Sequence, residues 1–191
     1  MLRVLLVDQN RRRSTPLKES LAQAGYAVVG RIPNSADLNK AVAELVPDVI
    51  IIDTYSPSRD TLEHIVLAGR DDPRPIVMFT HDGDTEKIRS ATRAGVSAYV
   101  VGGLESDRIR PILDAAIARF EDYRAMKSEL DAANLKLSER KLVEKAKGVL
   151  MKQRGLGEEE AYGLMRKLAM DRNIRLAELA GQVVDAAKLL L

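Results

Sequence analysis

Four side chains of this sequence could share one piece of chemistry: Asp8, Asp53, Thr80 and Tyr99. Asp8 follows the apolar run Arg3–Val7, Asp53 follows Val49–Ile52, Thr80 closes Ile76–Thr80, and Tyr99 lies within Ala98–Val101. Val49–Ile52 is wholly apolar and β-branched, as a strand buried on both faces should be. If these runs are neighbouring strands, the two carboxylates can hold a hard cation and offer an acceptor for an acyl phosphate. A hydroxyl one strand over can bond a phosphoryl oxygen. Acids at strand ends also simply cap loops, so position and order, more than residue type, make the argument. Other chemistries find little material. No cysteine is present, hence no disulfide, thiol nucleophile or thiolate metal site. His64 and His81 stand in no triad or metal spacing and read as surface residues, which speaks against an enzyme.

The elements that must position these residues alternate. A helical pattern runs from about Thr15 to Ala24 and stops at Gly25, and Tyr26–Gly30 is a further strand. Ser35 is placed to cap a helix that runs to Val46 and ends before Pro47. Later helices start at Asp60 and span Thr85–Ala94. Five strands alternating with helices predict an α/β fold, a doubly wound flavodoxin-like (βα)5 sheet. Its ligand site lies at the carboxyl ends of the strands.

This half, residues 1–121, resembles the receiver domain of bacterial response regulators. The resemblance implies Asp53 as phosphoacceptor, Asp8 as a member of the acidic pocket, and Thr80 and Tyr99 as the switch pair. It also implies Mg2+ at Asp8 and Asp53. Pro57, four residues after Asp53, fits the family. Three positions depart from it. Gln9 stands where a second acid is usual, Gly102 and Gly103 stand where a lysine is usual, and the proline after that lysine is missing. That lysine pairs with the phosphoryl group as a point charge. Regulation by a partner protein is therefore the expectation, ahead of phosphorylation of Asp53, and no cofactor is required.

From Ser106 to Gly148 the pattern is continuously helical, with Pro111 near the start, where proline is tolerated. Leu113, Ala116, Phe120, Tyr123, Lys127, Leu130, Asn134 and Leu137 fall at alternating steps of three and four. That is a heptad seam about 36 Å long. Asn134 at a core position favours a parallel homodimer, because its amide finds a mate only in register. A single helix packed on its own domain would show a similar pattern.

The net charge of +2 hides an asymmetry. Residues 1–122 carry 16 basic and 18 acidic side chains, whereas residues 123–191 carry 14 and 10. A solvated helix face or a polyanion contact accounts equally well for this excess. The tail reads as three short amphipathic helices. The first passes through Leu142, Val143, Ala146, Val149 and Leu150 and is broken at Gly155-Leu156-Gly157. The second opens on Glu158, Glu159 and Glu160, which suit a helix amino end. The third runs from Leu176 to Leu191. Lys147 is expected on the side opposite the first apolar arc, and Gly148 is expected to meet another surface closely.

The tail resembles the ANTAR output domain, through Ala146-Lys147-Gly148, Leu150-Met151, Glu160-Ala161, Leu164, Arg166, Leu168-Ala169 and Leu179-Ala180. The whole chain resembles the response-regulator antiterminators that control nitrate and amide use. Receiver 1–121, coiled-coil linker 122–138 and RNA-binding domain 139–191 cover it. The resemblance implies binding to hairpins in leader mRNA, preventing premature termination, with a sensor protein that sequesters the regulator. The segment Ala98–Val101 looks most like the nitrate-assimilation branch. Lys147, Lys152, Arg154, Arg166, Lys167 and Arg172 are the candidate phosphate contacts. A DNA-binding regulator would need a recognition helix rich in polar side chains, but Leu176–Leu191 is mostly Ala, Leu and Val. An adaptor without nucleic-acid activity is the other alternative. Apolar runs are too short for a membrane span and the amino end has no signal-peptide layout, so a cytoplasmic protein is expected.

Overall fold

The computed structural model describes residues 1–8, 14–70, 72–102 and 108–189, which form two compact units, Met1–Arg124 and Ala125–Leu191. The first unit runs β1 (Leu2–Asp8), α1 (Ser14–Gln23), β2 (Tyr26–Ile32), a 3-10 turn (Ser35–Asp37) and α2 (Leu38–Leu45). It continues with β3 (Val49–Asp53), α3 (Arg59–Ala68), β4 (Ile76–Thr80), α4 (Thr85–Ala94), β5 (Ala98–Val101) and the start of α5 (Ile109–Arg154). The five strands form one parallel sheet in the order β2-β1-β3-β4-β5, the flavodoxin-like arrangement expected.

Side chains alternate across each strand and sort into two cores. Val4, Leu6, Val49, Ile51, Val77 and Phe79 meet Leu21 of α1 and Ile109, Leu113 and Ala116 of α5. Leu5, Val7, Ile50, Ile52, Ile76 and Met78 meet Leu38 and Ala41 of α2, Ile65 of α3 and Ala91 of α4. Ser58 caps α3 and Asp84 caps α4, each accepting backbone N–H bonds. The expected Ser35 cap is corrected. Asn34 accepts from Ala36 N, and Ser35 sits within the 3-10 turn with its hydroxyl 3.0 Å from His64 Nδ1.

One irregularity shapes the site. Between Val4 and Leu5 the register of β1 on β2 slips by a residue, so that Val4 faces Val28 but Leu5 faces Gly30. Tyr26 and Val28 consequently face the α1/α5 core, whereas Ile32 faces the other one. The slip turns Arg31 to the side of Leu6 and Asp8. Gly30 leaves room here for Leu45, whose Cδ1 would have to move from a Cβ at 2.2 Å.

In the second unit the end of α5 is joined by α6 (Glu158–Asp171) and α7 (Leu176–Leu189). Ala146, Met165, Ala169, Leu179, Ala180 and Val184 form its core, a small bundle as expected. Its first helix is the last stretch of the 46-residue α5 rather than a separate element. Glu160 Oε2 accepts from Gly157 N at 2.9 Å and secures the start of α6. One expectation is corrected. Leu113 and Ala116 belong to the core of the first unit, so the seam cannot begin before Phe120. Gly148 is exposed, and within this chain a Cβ there would meet nothing within 4 Å, so no surface of its own fold approaches it among the described residues. Ser106, Leu190 and Leu191, expected in helices, lie outside the described residues.

Candidate functional sites

The parallel register sets Asp8 directly opposite Asp53, at the carboxyl ends of neighbouring strands. Thr80 ends the next strand and is fully buried. Its hydroxyl donates to the Tyr55 carbonyl at 2.8 Å and accepts from Asp82 N at 3.1 Å. The Tyr99 hydroxyl donates to the Asp82 carbonyl at 2.8 Å, and burial pushes that phenol above its ordinary value. Thr80 and Tyr99 are thus joined through the backbone of the β4–α4 loop.

Sequence reasoning missed a second cluster at this rim. Lys87 Nζ donates to Asp82 Oδ2 at 2.6 Å and to Ser56 Oγ at 2.8 Å, and Ser56 donates to the same carboxylate at 2.6 Å. The Lys87 hydrogen bond, followed by that of Ser56, holds the Asp82 carboxyl well below the usual carboxylate range. One signal was available. A lysine in the first turn of a helix opposes the macrodipole unless a carboxylate meets it. The histidines divide: His81 is exposed beside the Tyr55 ring at 5.6 Å, while His64 is half-buried against Ser35 and is not a surface residue.

The Mg2+ expected at Asp8 and Asp53 meets a competitor. Arg31 Nη2 lies 3.2 Å from Asp8 Oδ2 and donates to the Asp8 carbonyl at 3.1 Å, with Asp8 only 1% exposed. A hard divalent ion needs several oxygen ligands. Here one carboxylate already carries a guanidinium, and position 9, outside the described residues, holds Gln rather than an acid. Among the described residues no group of three His, Cys, Asp or Glu could hold a metal. Among the described residues, Arg31 therefore competes with a divalent cation for Asp8.

The basic tail also differs from expectation at one position. Lys147 is 8% exposed, its ammonium 2.7 Å from Glu144 Oε2 and 2.7 Å from Glu158 Oε1, so it is not an outward-facing cation. It lies one residue, about 100°, past the buried Ala146, on the flank of the apolar arc rather than opposite it. There it fastens α5 to the first residue of α6, and both hydrogen bonds raise its pKa. Lys152, Arg154, Arg166, Lys167 and Arg172 are exposed, and among the described residues only the Arg172 side chain has a hydrogen bond, at 3.4 Å to Gln182. Along α5, Tyr123, Leu130, Asn134 and Leu137 are exposed, with Met126 on the same stripe. Phe120 is half-buried beneath Arg124.

Comparison with known proteins follows the same division. Residues 4–114 match the family described as response regulator receiver domain, and residues 131–184 match the ANTAR domain. The chain is 28% identical over 183 residues to the transcriptional regulatory protein PdtaR of Mycobacterium tuberculosis, covering 96% of this chain and 89% of that protein. It is 44% identical over 59 residues to the nitrate regulatory protein of Klebsiella oxytoca, 31% of this chain and 15% of that protein. Among solved structures, the signal receiver domain of a modulated diguanylate cyclase from Desulfovibrio desulfuricans G20 is similar in fold. Its TM-score is 0.55 at 23% identity, covering 63% of this chain and 97% of that one.

Proposed function

The chain belongs to the response-regulator receiver family and ends in an ANTAR domain, and from that premise we propose that it is a transcription antiterminator. It binds hairpins in the leader of a nascent mRNA and favours the antiterminated structure over the terminator. The ANTAR match over residues 131–184 carries this reading. The similarity to the nitrate regulatory protein supports nitrate and nitrite assimilation genes as the target.

Exposed Lys152, Arg154, Arg166, Lys167 and Arg172 neutralise phosphates, with an affinity that falls as salt rises. Tyr162, 43% exposed, and the arginine planes stack on loop bases. Pairing through the Tyr123–Leu137 stripe gives a homodimer that holds two hairpins at once and gains avidity. A cytoplasmic sensor protein sequesters the regulator until its small-molecule signal arrives. The hydrogen-bonded Thr80 and Tyr99 and the Arg31 on Asp8 support control by that partner rather than by phosphorylation of Asp53.

Filter binding to hairpin RNA against duplex DNA tests the output. Replacing Arg166 and Lys167 together by Glu is expected to weaken hairpin binding more than tenfold, on the order of 1.4 kcal/mol or more, with helicity unchanged. Wild-type affinity in that folded variant would remove these residues from the interface. Preference of the wild type for duplex DNA would overturn the antiterminator reading.

A further inference from the structure

A cleft of about 450 Å³ opens within the second unit, between α5 and the start of α7. Lys136, Glu139, Arg140 and Val143 line it from α5, and Arg175 and Leu176 from the other side. Lys136, Arg140 and Arg175 are exposed, and among the described residues none of the three has an ion-pair partner. That contrasts with Lys147 and Lys188, which are held by carboxylates. Three cations gathered on one rim repel each other, and the single Glu139 offsets only one of them. Among the described residues no carboxylate pairs with them, so the rim presents positive charge to solvent and attracts anions. Among the lining residues, Val143 and Leu176 are half-buried, apolar and packed against the core of the unit. The volume lies in the range of small-ligand pockets, roughly 300–1,000 Å³. A charged rim over an apolar floor suits a nucleotide, with phosphates on the rim and a base on the floor. An acidic peptide would leave the floor unused.

Resting on the RNA-binding reading, we propose that this cleft receives one unstacked nucleotide of a hairpin loop. The flanking phosphates sit on Arg140, Arg175 and Lys136. The base lies against Val143 and Leu176, and Glu139 accepts a hydrogen bond from a base amino group or the ribose 2′-hydroxyl, the polar groups by which loops are read. None of these residues is among the six candidate phosphate contacts named from the sequence, so the cleft is a second, base-reading part of the interface.

The probe is a stem–loop RNA whose randomised loop is first enriched on the full-length protein. The enriched hairpin is then titrated by fluorescence anisotropy. Arg140→Gln with Arg175→Gln is expected to weaken binding at least tenfold and to reduce the salt slope by about two. Lys40→Gln with Arg59→Gln, which removes the same charge from the receiver, leaves binding unchanged. Abasic substitution along the loop identifies one position whose loss weakens the wild type but costs the cleft variant nothing more. Wild-type binding by the cleft variant, or abasic losses that simply add to its defect, would overturn the cleft while leaving the antiterminator intact. Failure to enrich any loop, or equal binding to duplex DNA, would overturn the antiterminator reading and the cleft with it. Circular dichroism and the Arg140→Lys/Arg175→Lys pair, expected to recover most affinity, separate a lost contact from a lost fold.

Discussion

The Asp8 carboxylate meets a guanidinium in a site from which water is almost wholly excluded. Removing one member of a buried pair costs up to several kcal/mol, and less here, because Arg31 is partly exposed and Asp8 keeps a further interaction. Arg31 is 21% exposed, so Arg31→Ser is expected to lower stability by about 1–3 kcal/mol. With the guanidinium gone, a hard cation no longer competes with Arg31 for the Asp8 carboxylate. Millimolar Mg2+ should raise the melting temperature of Arg31→Ser and leave that of the wild type unmoved. Magnesium stabilisation of the wild type would show that Arg31 yields the site. The identities of Asp8 and Asp53 were readable from their places after apolar runs, since such runs end where a parallel sheet presents its ligands. Arg31 was not, because it lies just past the expected strand Tyr26–Gly30, where an arginine looks like any solvated loop residue; the strand in fact runs on to Ile32.

At the scale of elements, α5 divides its apolar residues between two jobs. Leu113 and Ala116 fill the first unit's core, while Tyr123, Leu130 and Leu137 face solvent. Replacing the latter three with Glu therefore leaves the receiver core untouched. It should convert a dimer to a monomer in sedimentation equilibrium and weaken binding to a paired-hairpin RNA more than to a single hairpin. A wild type that sediments as a monomer, free and RNA-bound, would remove the seam. Tyr26 ties β2 to α5 through a 2.7 Å hydrogen bond to Asp114 Oδ1. Burial, then that hydrogen bond, pushes its phenol up to about 12 from 10.0. The folded form thus keeps its proton longer than the unfolded chain, so the contribution is present below pH 10 and lost as pH rises towards 12. By linkage it amounts to roughly 2–3 kcal/mol. Tyr26→Phe should be less stable at neutral pH yet lose less between pH 9 and 11 in urea titrations. An unchanged slope would show that the phenol titrates normally.

At the scale of the whole molecule, the groups that the receiver resemblance implies for signalling are already engaged. Thr80 bonds Tyr55, Tyr99 bonds the Asp82 carbonyl, and Arg31 holds Asp8. Adding a phosphoryl group at Asp53 would bring negative charge to a pocket lacking the family's second acid and its lysine. Asp53→Ala is expected to leave antitermination largely intact in a reporter assay. An inactive Asp53→Ala protein that still folds, dimerises and binds its sensor, with stoichiometric acetyl-phosphate labelling of Asp53 in the wild type, would show that phosphorylation governs it.

Local order was decided by the sequence itself: strands from β-branched runs, helix ends from Asp84 and Gly95, and the order of elements from their alternation. Periodicity reports which residues share a face, and that sufficed for the sheet and for the cores on either side of it. It cannot report what covers a face. Only the fold decided that Leu113 and Ala116 meet their own sheet, and that Lys147 meets Glu158 across a turn. The same holds for Arg31. The one-residue slip against β1 chose its side of the sheet, and a slip of one residue moves a side chain from one face to the other.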